Sequence, residues 1–533
     1  MQLTGQSLIA GRPTAAGKKS FAAVNPATKE ALAPAFVVAT AEEVDQAVKA
    51  AADAAPVLQA ASPEKRAQLL ETIAAEIELV GPTLLERANA ESGLPLARLS
   101  GERDRTCSQL RLFASVVREG SWIDARIDPA LPDRKPLPRP DLRRMLAPLG
   151  PVAVFGASNF PLAFSVAGGD TASAFAAGCP VIAKAHEAHP CTSELVGSAI
   201  VRALAACDLP IGLFSLLQGP GAEVGVPLVK HPLLAAVGFT GSHTAGRALC
   251  DLAALRPNPI PVFAEMSSVN PVFLLPGAVR ERGSVIAQGL LGSVTLGVGQ
   301  FCTKPGLIFV LRDNATKGLM DAVAAGVPAC APGTMLTPGI RERFLQVQER
   351  LRSLPGIRVA AAREPGSAAK NEAAVTVAAT TAADFLRTPE MATEAFGPFT
   401  LFVEASSMNE LLACAHAIEG QLTATLHGND SDWESAGPLL DALERKAGRL
   451  LVNGFPTGVE VSHAMHHGGP SPATSDPRFT SVGTAAILRW ARPVCYQNFP
   501  AALLPAALRD DNPLQIWRRI NGALTREPLA SCP

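Results

Sequence analysis

The stretch Pro151-Val152-Ala153-Val154-Phe155-Gly156-Ala157, followed one helix length later by Gly178-Cys179-Pro180-Val181-Ile182-Ala183-Lys184, decides the fold. Each half is a short apolar run bounded by glycine or proline, the form a strand takes when both its faces are buried. The small residues of 162–177 between them read as a helix. The alternation continues with helix 192–206, strand 214–217, helix 222–229, strand 235–239, helix 243–255 and strand 261–264. Repeated strand–helix–strand units of this length predict an α/β protein with a parallel sheet covered on both faces. A second α/β series occupies roughly 266–455.

Upstream, residues 1–39 read as short strands and turns, and a helical region runs to about 118. Thr40 with Glu43 forms a capping box, and Ser62-Pro63 stands in N-cap and N1 order. The Pro- and Arg-rich segment 127–148 reads as an extended excursion. The tail from 456 holds glycine-rich loops and an amphipathic stretch around Leu514–Leu524, read as a helix packed on the body or on a neighbouring subunit.

At 533 residues the chain is long enough for two or three domains. A net charge of −1 offers no basic field for nucleic acid, and 48% apolar residues exclude a disordered chain. Neither a secretory leader nor an apolar run long enough to span a membrane is expected. The ten cysteines, Cys532 among them, are scattered without the short paired spacings of a disulfide framework or a zinc site. A cytoplasmic protein is the expectation.

The chemistry gathers around Gly299-Gln300-Phe301-Cys302-Thr303-Lys304-Pro305-Gly306, a cysteine between glycines just before an apolar strand. Phe263-Ala264-Glu265-Met266-Ser267 and Gly156-Ala157-Ser158-Asn159-Phe160-Pro161 accompany it. Together they supply a nucleophile, a base and an amide donor for work on a carbonyl carbon. No G-x-G-x-x-G follows the first strand. Thr240-Gly241-Ser242-His243-Thr244-Ala245-Gly246 instead joins a strand to a helix with small residues, where an anion can approach the helix N-terminus. Lys184 closes a strand where open α/β sheets bind ligands, and Glu187 could accept from ribose hydroxyls. His463, His466 and His467 suit a glycine-rich loop better than a metal site, and no metal is expected.

These segments, with Asn25-Pro26-Ala27-Thr28 and Glu394-Ala395-Phe396-Gly397-Pro398, resemble the aldehyde dehydrogenase superfamily over about residues 20–500. Phe164–Thr171, Ala264–Ser268, Gln300–Thr303 and Leu508–Pro513 are similar to its 2-oxoglutarate semialdehyde (2,5-dioxovalerate) branch, itself akin to a bacterial long-chain aldehyde dehydrogenase. The resemblance implies a Rossmann-type nucleotide-binding domain (1–126 and 149–265), an α/β catalytic domain (266–455), and oligomerisation elements with a C-terminal tail (127–148 and 456–533).

It further implies NAD- or NADP-dependent oxidation of an aldehyde to a carboxylate through a thiohemiacetal and a thioester on Cys302. In that scheme Asn159 and the Cys302 N–H hold the oxyanion and Glu265 activates the hydrolytic water. Lys184, Glu187, Gly241, Ser242, Gly246, Glu394 and Phe396 hold the cofactor, with Glu394 on the nicotinamide ribose. Glu187 and the lack of an arginine in Gly219–Glu223 favour NAD. A thiol pKa lowered by positive charge or N–H dipoles is expected for Cys302, and a raised one for the apolar-flanked Glu265. The substrate is a small aldehyde, 2-oxoglutarate semialdehyde or a similar one. Alternatives are an aliphatic or fatty aldehyde, transfer to coenzyme A, which Glu265 argues against, or an inactive nucleotide-binding scaffold. A homodimer or homotetramer is expected, the dimer favoured.

Two positions depart from the family pattern. Met266-Ser267-Ser268 replaces the common Leu-Gly-Gly, and Lys304 stands where that branch is expected to carry asparagine. Lys304 could pair with a substrate carboxylate or lower the cysteine pKa; a solvent-facing side chain is the preferred reading.

Overall fold

A computed structural model describes residues 3–529; Cys532 lies outside the described residues. Its first sheet sets five parallel strands side by side in the order Val262–Glu265, Ala236–Thr240, Val152–Phe155, Val181–Lys184 and Phe214–Leu217. Ser7–Ile9 and Arg12–Thr14 extend one edge antiparallel. Four of the five parallel strands are buried throughout, as runs without polar alternation require. The chain moves outward from Val152–Phe155 to Phe214–Leu217, then crosses back to Ala236–Thr240 on the other side. That reversal opens a crevice at the carboxyl ends of Val152–Phe155 and Ala236–Thr240.

The second sheet has the order Arg358–Ala362, Thr376–Thr381, Phe399–Ala405, Leu307–Leu311, Val272–Leu274, Gln421–His427 and Ala447–Val452, with only the first strand antiparallel. Each sheet is covered by its own apolar clusters. The third sheet joins Ala491–Gln497, Leu142–Pro148, Arg126–Asp128, Arg518–Ile520 and Ala523–Thr525, so the excursion and the tail fold together.

Helices Ala41–Ala60, Pro63–Val80, Pro82–Ser92 and Leu96–Glu119 fill the early helical region, and the Thr40/Glu43 capping box forms reciprocally. Two expectations shift. The helix expected over 162–177 begins only at Gly169. Leu162 and Ala163 give their N–H groups instead to the buried Glu102 carboxylate, which holds 160–168 as turns. The amphipathic stretch around Leu514–Leu524 is no helix: Arg518–Ile520 and Ala523–Thr525 form a hairpin. Asn521 and Gly522 both take positive φ there, as a two-residue turn demands. A 3-10 turn from Thr484 to Trp490 leads into the strand Ala491–Gln497. Among the described residues no helix is long and apolar enough to cross a membrane.

Candidate active site

The Cys302 loop is built by backbone that few sequences tolerate. Gly297, Val298 and Gly299 are consecutively left-handed, which turns the chain out of the helix Pro276–Thr295. A Cβ at Gly299 would sit 2.4 Å from the Gly397 carbonyl carbon, so glycine there lets the loop touch the 394–398 segment. From the other side, buried Asn270 donates its side-chain amide to the carbonyls of Cys302 (2.7 Å) and Lys304 (3.1 Å). Asn270 is itself fixed by Thr423 and by Gln421, whose side-chain oxygen accepts from the Val269 and Asn270 N–H groups.

Three side chains gather at Cys302. Cys302 Sγ lies 3.6 Å from His467 Nε2, and that same nitrogen lies 3.0 Å from Glu265 Oε1. The Ser481 hydroxyl donates to the other Glu265 oxygen in a short contact. Glu265 ends the strand Val262–Glu265 and is 3% exposed; His467 is fully buried, its backbone N–H tied to Thr480.

The electrostatics reverse two expectations. Burial works against the Glu265 charge, but His467 and then Ser481 outweigh it and hold the carboxyl below its usual range, not above. The Cys302 thiol is pushed well up, first by burial and then by the Glu265 charge; Arg449 opposes this only weakly. A resting thiol beside a base is the result, rather than a resting thiolate. Sulfur, imidazole and carboxylate also lie close enough together, within 4.8 Å, to ligate a metal ion. The contacts of His467 fit proton transfer equally directly.

Asn159 reaches the loop, but its amide donates to the Gln300 carbonyl at 3.0 Å. Arg98 holds the Asn159 carbonyl at 2.8 Å and stacks over Phe160 and Phe301, its centre 5.0 and 4.9 Å from the two rings. Lys304 does not face solvent. It is 3% exposed and donates to the Phe399 carbonyl at 2.8 Å. Burial lowers its pKa to about 8, with the Glu394 charge opposing.

The cofactor candidates divide between the two sides of the crevice. Lys184 is buried at its strand end and pairs with the exposed Glu187 at 2.7 Å. Gly241 and Ser242 open the helix His243–Ala254, and Ser242 Oγ accepts from the Ala245 N–H. Residues 241–245 are exposed, leaving that N-terminus open at the switch point. Gly246 has a packing reason, since a Cβ there would meet Met266 at 2.8 Å. On the far side, burial raises Glu394 to about 6, against hydrogen bonding from Ser267, the Lys304 charge and the Ser268 backbone. Half-buried Phe396 lies two residues on. A cation and carboxylates for hydroxyls, with an open helix N-terminus for phosphate, form a donor set that fits a dinucleotide.

Sequence reasoning missed His467, which it left in a glycine-rich loop, although His467 precedes Gly468-Gly469 in a segment without other work. Ser481 and Glu102 carry no local signal, because each reaches its partners only through the tertiary fold.

Residues 13–472 match the aldehyde dehydrogenase family. Alpha-ketoglutaric semialdehyde dehydrogenase 2 of Azospirillum brasilense is 53% identical over 98% of this chain and 99% of its own. Alpha-ketoglutaric semialdehyde dehydrogenase of Acinetobacter baylyi is 47% identical over the same shares. Among solved structures, betaine aldehyde dehydrogenase from Staphylococcus aureus in complex with NAD+ superposes with a TM-score of 0.80 at 18% identity, covering 93% of this chain and 95% of that one. Methylmalonate-semialdehyde dehydrogenase from Oceanimonas doudoroffii gives 0.78 at 18% identity, over 93% and 98%.

Proposed function

We propose, from the premise that this chain belongs to the aldehyde dehydrogenase family, that it oxidises 2-oxoglutarate semialdehyde to the dicarboxylate. That it is an oxidoreductase acting on aldehydes follows from the family itself. The substrate comes from the two relatives at 53% and 47% identity, both named for that semialdehyde and matched over almost their whole length.

The observation that carries the mechanism is the contact line from Cys302 through His467 to Glu265. As Cys302 Sγ bonds to the aldehyde carbon, its proton passes to His467 Nε2 in the tautomer that carries its N–H on Nδ1, and the Nε2–H so formed is then donated to the Glu265 carboxylate. The carbonyl oxygen becomes an oxyanion, for which the Cys302 N–H and the Asn159 amide, once swung from Gln300, are the donors. An oxidised nicotinamide dinucleotide, when bound in the crevice, supplies the hydride acceptor. Cys302 then carries a thioester. Glu265 takes a proton from water as the hydroxide adds to that thioester, and the Cys302 thiolate leaves and recovers its proton.

Lys184, Glu187 and the open helix N-terminus at Gly241 and Ser242 hold the adenosine and phosphate half, and Glu394 with Phe396 holds the nicotinamide half. Glu187 repels a 2′-phosphate, so NAD is the preferred cofactor. On this reading the first sheet with its helices binds nucleotide, the second carries the cysteine, and the third, built from 127–148 and the tail, joins subunits into a dimer. Nine free cysteines among the described residues favour a reducing compartment, the cytoplasm.

A panel of semialdehydes and neutral aldehydes with NAD and NADP tests the reading. The highest kcat/KM belongs to 2-oxoglutarate semialdehyde with NAD; a higher value for a long-chain aldehyde, or with NADP, overturns the corresponding part.

A further inference from the structure

Two arginines stand beside the nucleophile with no acid to match them. Arg105 comes from the helix Leu96–Glu119 and Arg449 from the strand Ala447–Val452. They grip the same loop: Arg105 donates to the Val459 carbonyl, and Arg449 to the carbonyls of Pro456 (2.7 Å) and Gly458 (3.1 Å). Arg105 also lies over the Phe164 ring, 5.5 Å from its centre, on the segment that follows Asn159. Neither guanidinium has an ion-pair partner among the described residues. Their donors are also incompletely used: Arg105 Nε and Nη2 and Arg449 Nε are buried with nothing to bond.

Both side chains are half-buried, and each buried guanidinium nitrogen left without an acceptor carries a desolvation cost that a bound anion would relieve. The nearby acids do not serve. Glu102 accepts from the Leu162 and Ala163 N–H groups and forms no hydrogen bond to either arginine, and Glu265 is engaged by His467 and Ser481. Glu460 is exposed, with its carboxylate on the Val461 N–H. Arg105 lies over Phe164, which packs on Phe160 and through it on Phe301, the residue before Cys302, and Arg449 holds the same loop, so the charge of the pair borders the Cys302 site. The planar fork of arginine suits a carboxylate better than any other side chain does.

We infer that Arg105 and Arg449 form the receptor for a carboxylate that the aldehyde substrate carries at the end remote from its reactive carbon. This deepens the semialdehyde reading and rests on it for the substrate class. The pair selects acidic aldehydes over neutral ones of equal length, and the Pro456–Val459 loop it grips closes over the carboxylate.

The test compares wild type with Arg105→Met, Arg449→Met and the charge-keeping Arg449→Lys. Succinic semialdehyde and butanal serve as the acidic and neutral probes, and the ratio of their kcat/KM values is read, so that a general loss of activity cancels. The Met variants lower the acid-to-neutral ratio at least tenfold, mainly through KM, and Arg449→Lys recovers part of it. A ratio unchanged within twofold in both Met variants overturns the inference and leaves the arginines as staples of the loop. Where Arg449→Met does not fold, glutarate decides: it competes with succinic semialdehyde in wild type and loses that effect in Arg105→Met, and equal inhibition of both overturns the proposal. The semialdehyde reading fails separately, if wild type prefers other acidic aldehydes to the 2-oxo compound while the arginine dependence persists.

Discussion

Cys302 begins its reaction at a disadvantage, because burial and the Glu265 charge both keep its proton on sulfur. A raised thiol pKa leaves little thiolate at neutral pH, so reactivity toward an alkylating agent climbs with pH up to that raised value. Removing the negative charge in Glu265→Gln lowers the thiol pKa. Iodoacetamide labelling at pH 7.5 is therefore expected to speed up by about tenfold, since one pKa unit is a factor of ten in thiolate, while steady-state turnover collapses for want of the deacylating base. His467→Ala removes the proton acceptor 3.6 Å from the sulfur, and both labelling and acylation slow by about 10²–10⁴, the usual share of a general base. Labelling slowed by Glu265→Gln would make Glu265, not His467, the proton acceptor. Glu394 gives a second pH dependence. With its carboxyl raised to about 6, it is a charged acceptor above that pH and a protonated one below. The KM for NAD is therefore expected to rise as pH falls through that value, and Glu394→Gln flattens the profile. At this scale Cys302 and Glu265 were legible from their flanks. The directions of their pKa shifts were not, because His467, 165 residues beyond Cys302, outweighs burial at Glu265, and the Glu265 charge thus kept adds to burial at Cys302.

Elements became readable wherever their signals were local. The strands around Val152 and Val181 and the caps at Thr40 and Ser62 depend on residues a few positions apart, and they formed as read. The segment 160–168 failed because its turn is imposed by Glu102, sixty residues upstream, which takes the N–H groups that a helix would have left to earlier carbonyls. The hairpin at 518–525 was a different failure: Asn521-Gly522 is itself a strong turn signal, overlooked in favour of amphipathic spacing. Glu102 then makes a prediction about the element that bears Asn159. Glu102→Ala strands the Leu162 and Ala163 N–H groups, each at a cost of about 1–3 kcal/mol, and loosens the segment. A lower thermal midpoint with a drop in kcat is expected. Glu102→Gln keeps an oxygen for both donors and retains most of each, and equal loss in both variants would show that the charge, rather than the anchoring, matters.

At the scale of the whole molecule, the third sheet keeps an edge that no described residue of the single chain pairs. Ala491–Gln497 is an edge strand of seven residues, paired only with Leu142–Pro148, and an unpaired edge of that length invites a second chain. Apolar side chains continue from it: Phe499 is 43% and Leu503 66% exposed, and Leu137 in the excursion is 70% exposed. Asp141 and Asn498 bond to one another by two backbone-centred contacts, so the excursion and the segment after the strand meet at one end of the sheet. An isolated monomer would keep this apolar surface in water, whereas a symmetric pair of copies would cover it and extend the sheet. Leu137→Glu combined with Leu503→Glu sets like charges across that contact and leaves the two large sheets untouched. Light scattering after size exclusion is expected to give about twice the 55.3 kDa chain mass for the wild-type protein and a single chain mass for the double variant. Because Cys302, His467 and Glu265 all come from one chain, the monomer should still be labelled at Cys302 by iodoacetamide. A double variant that stays dimeric would place the subunit contact elsewhere.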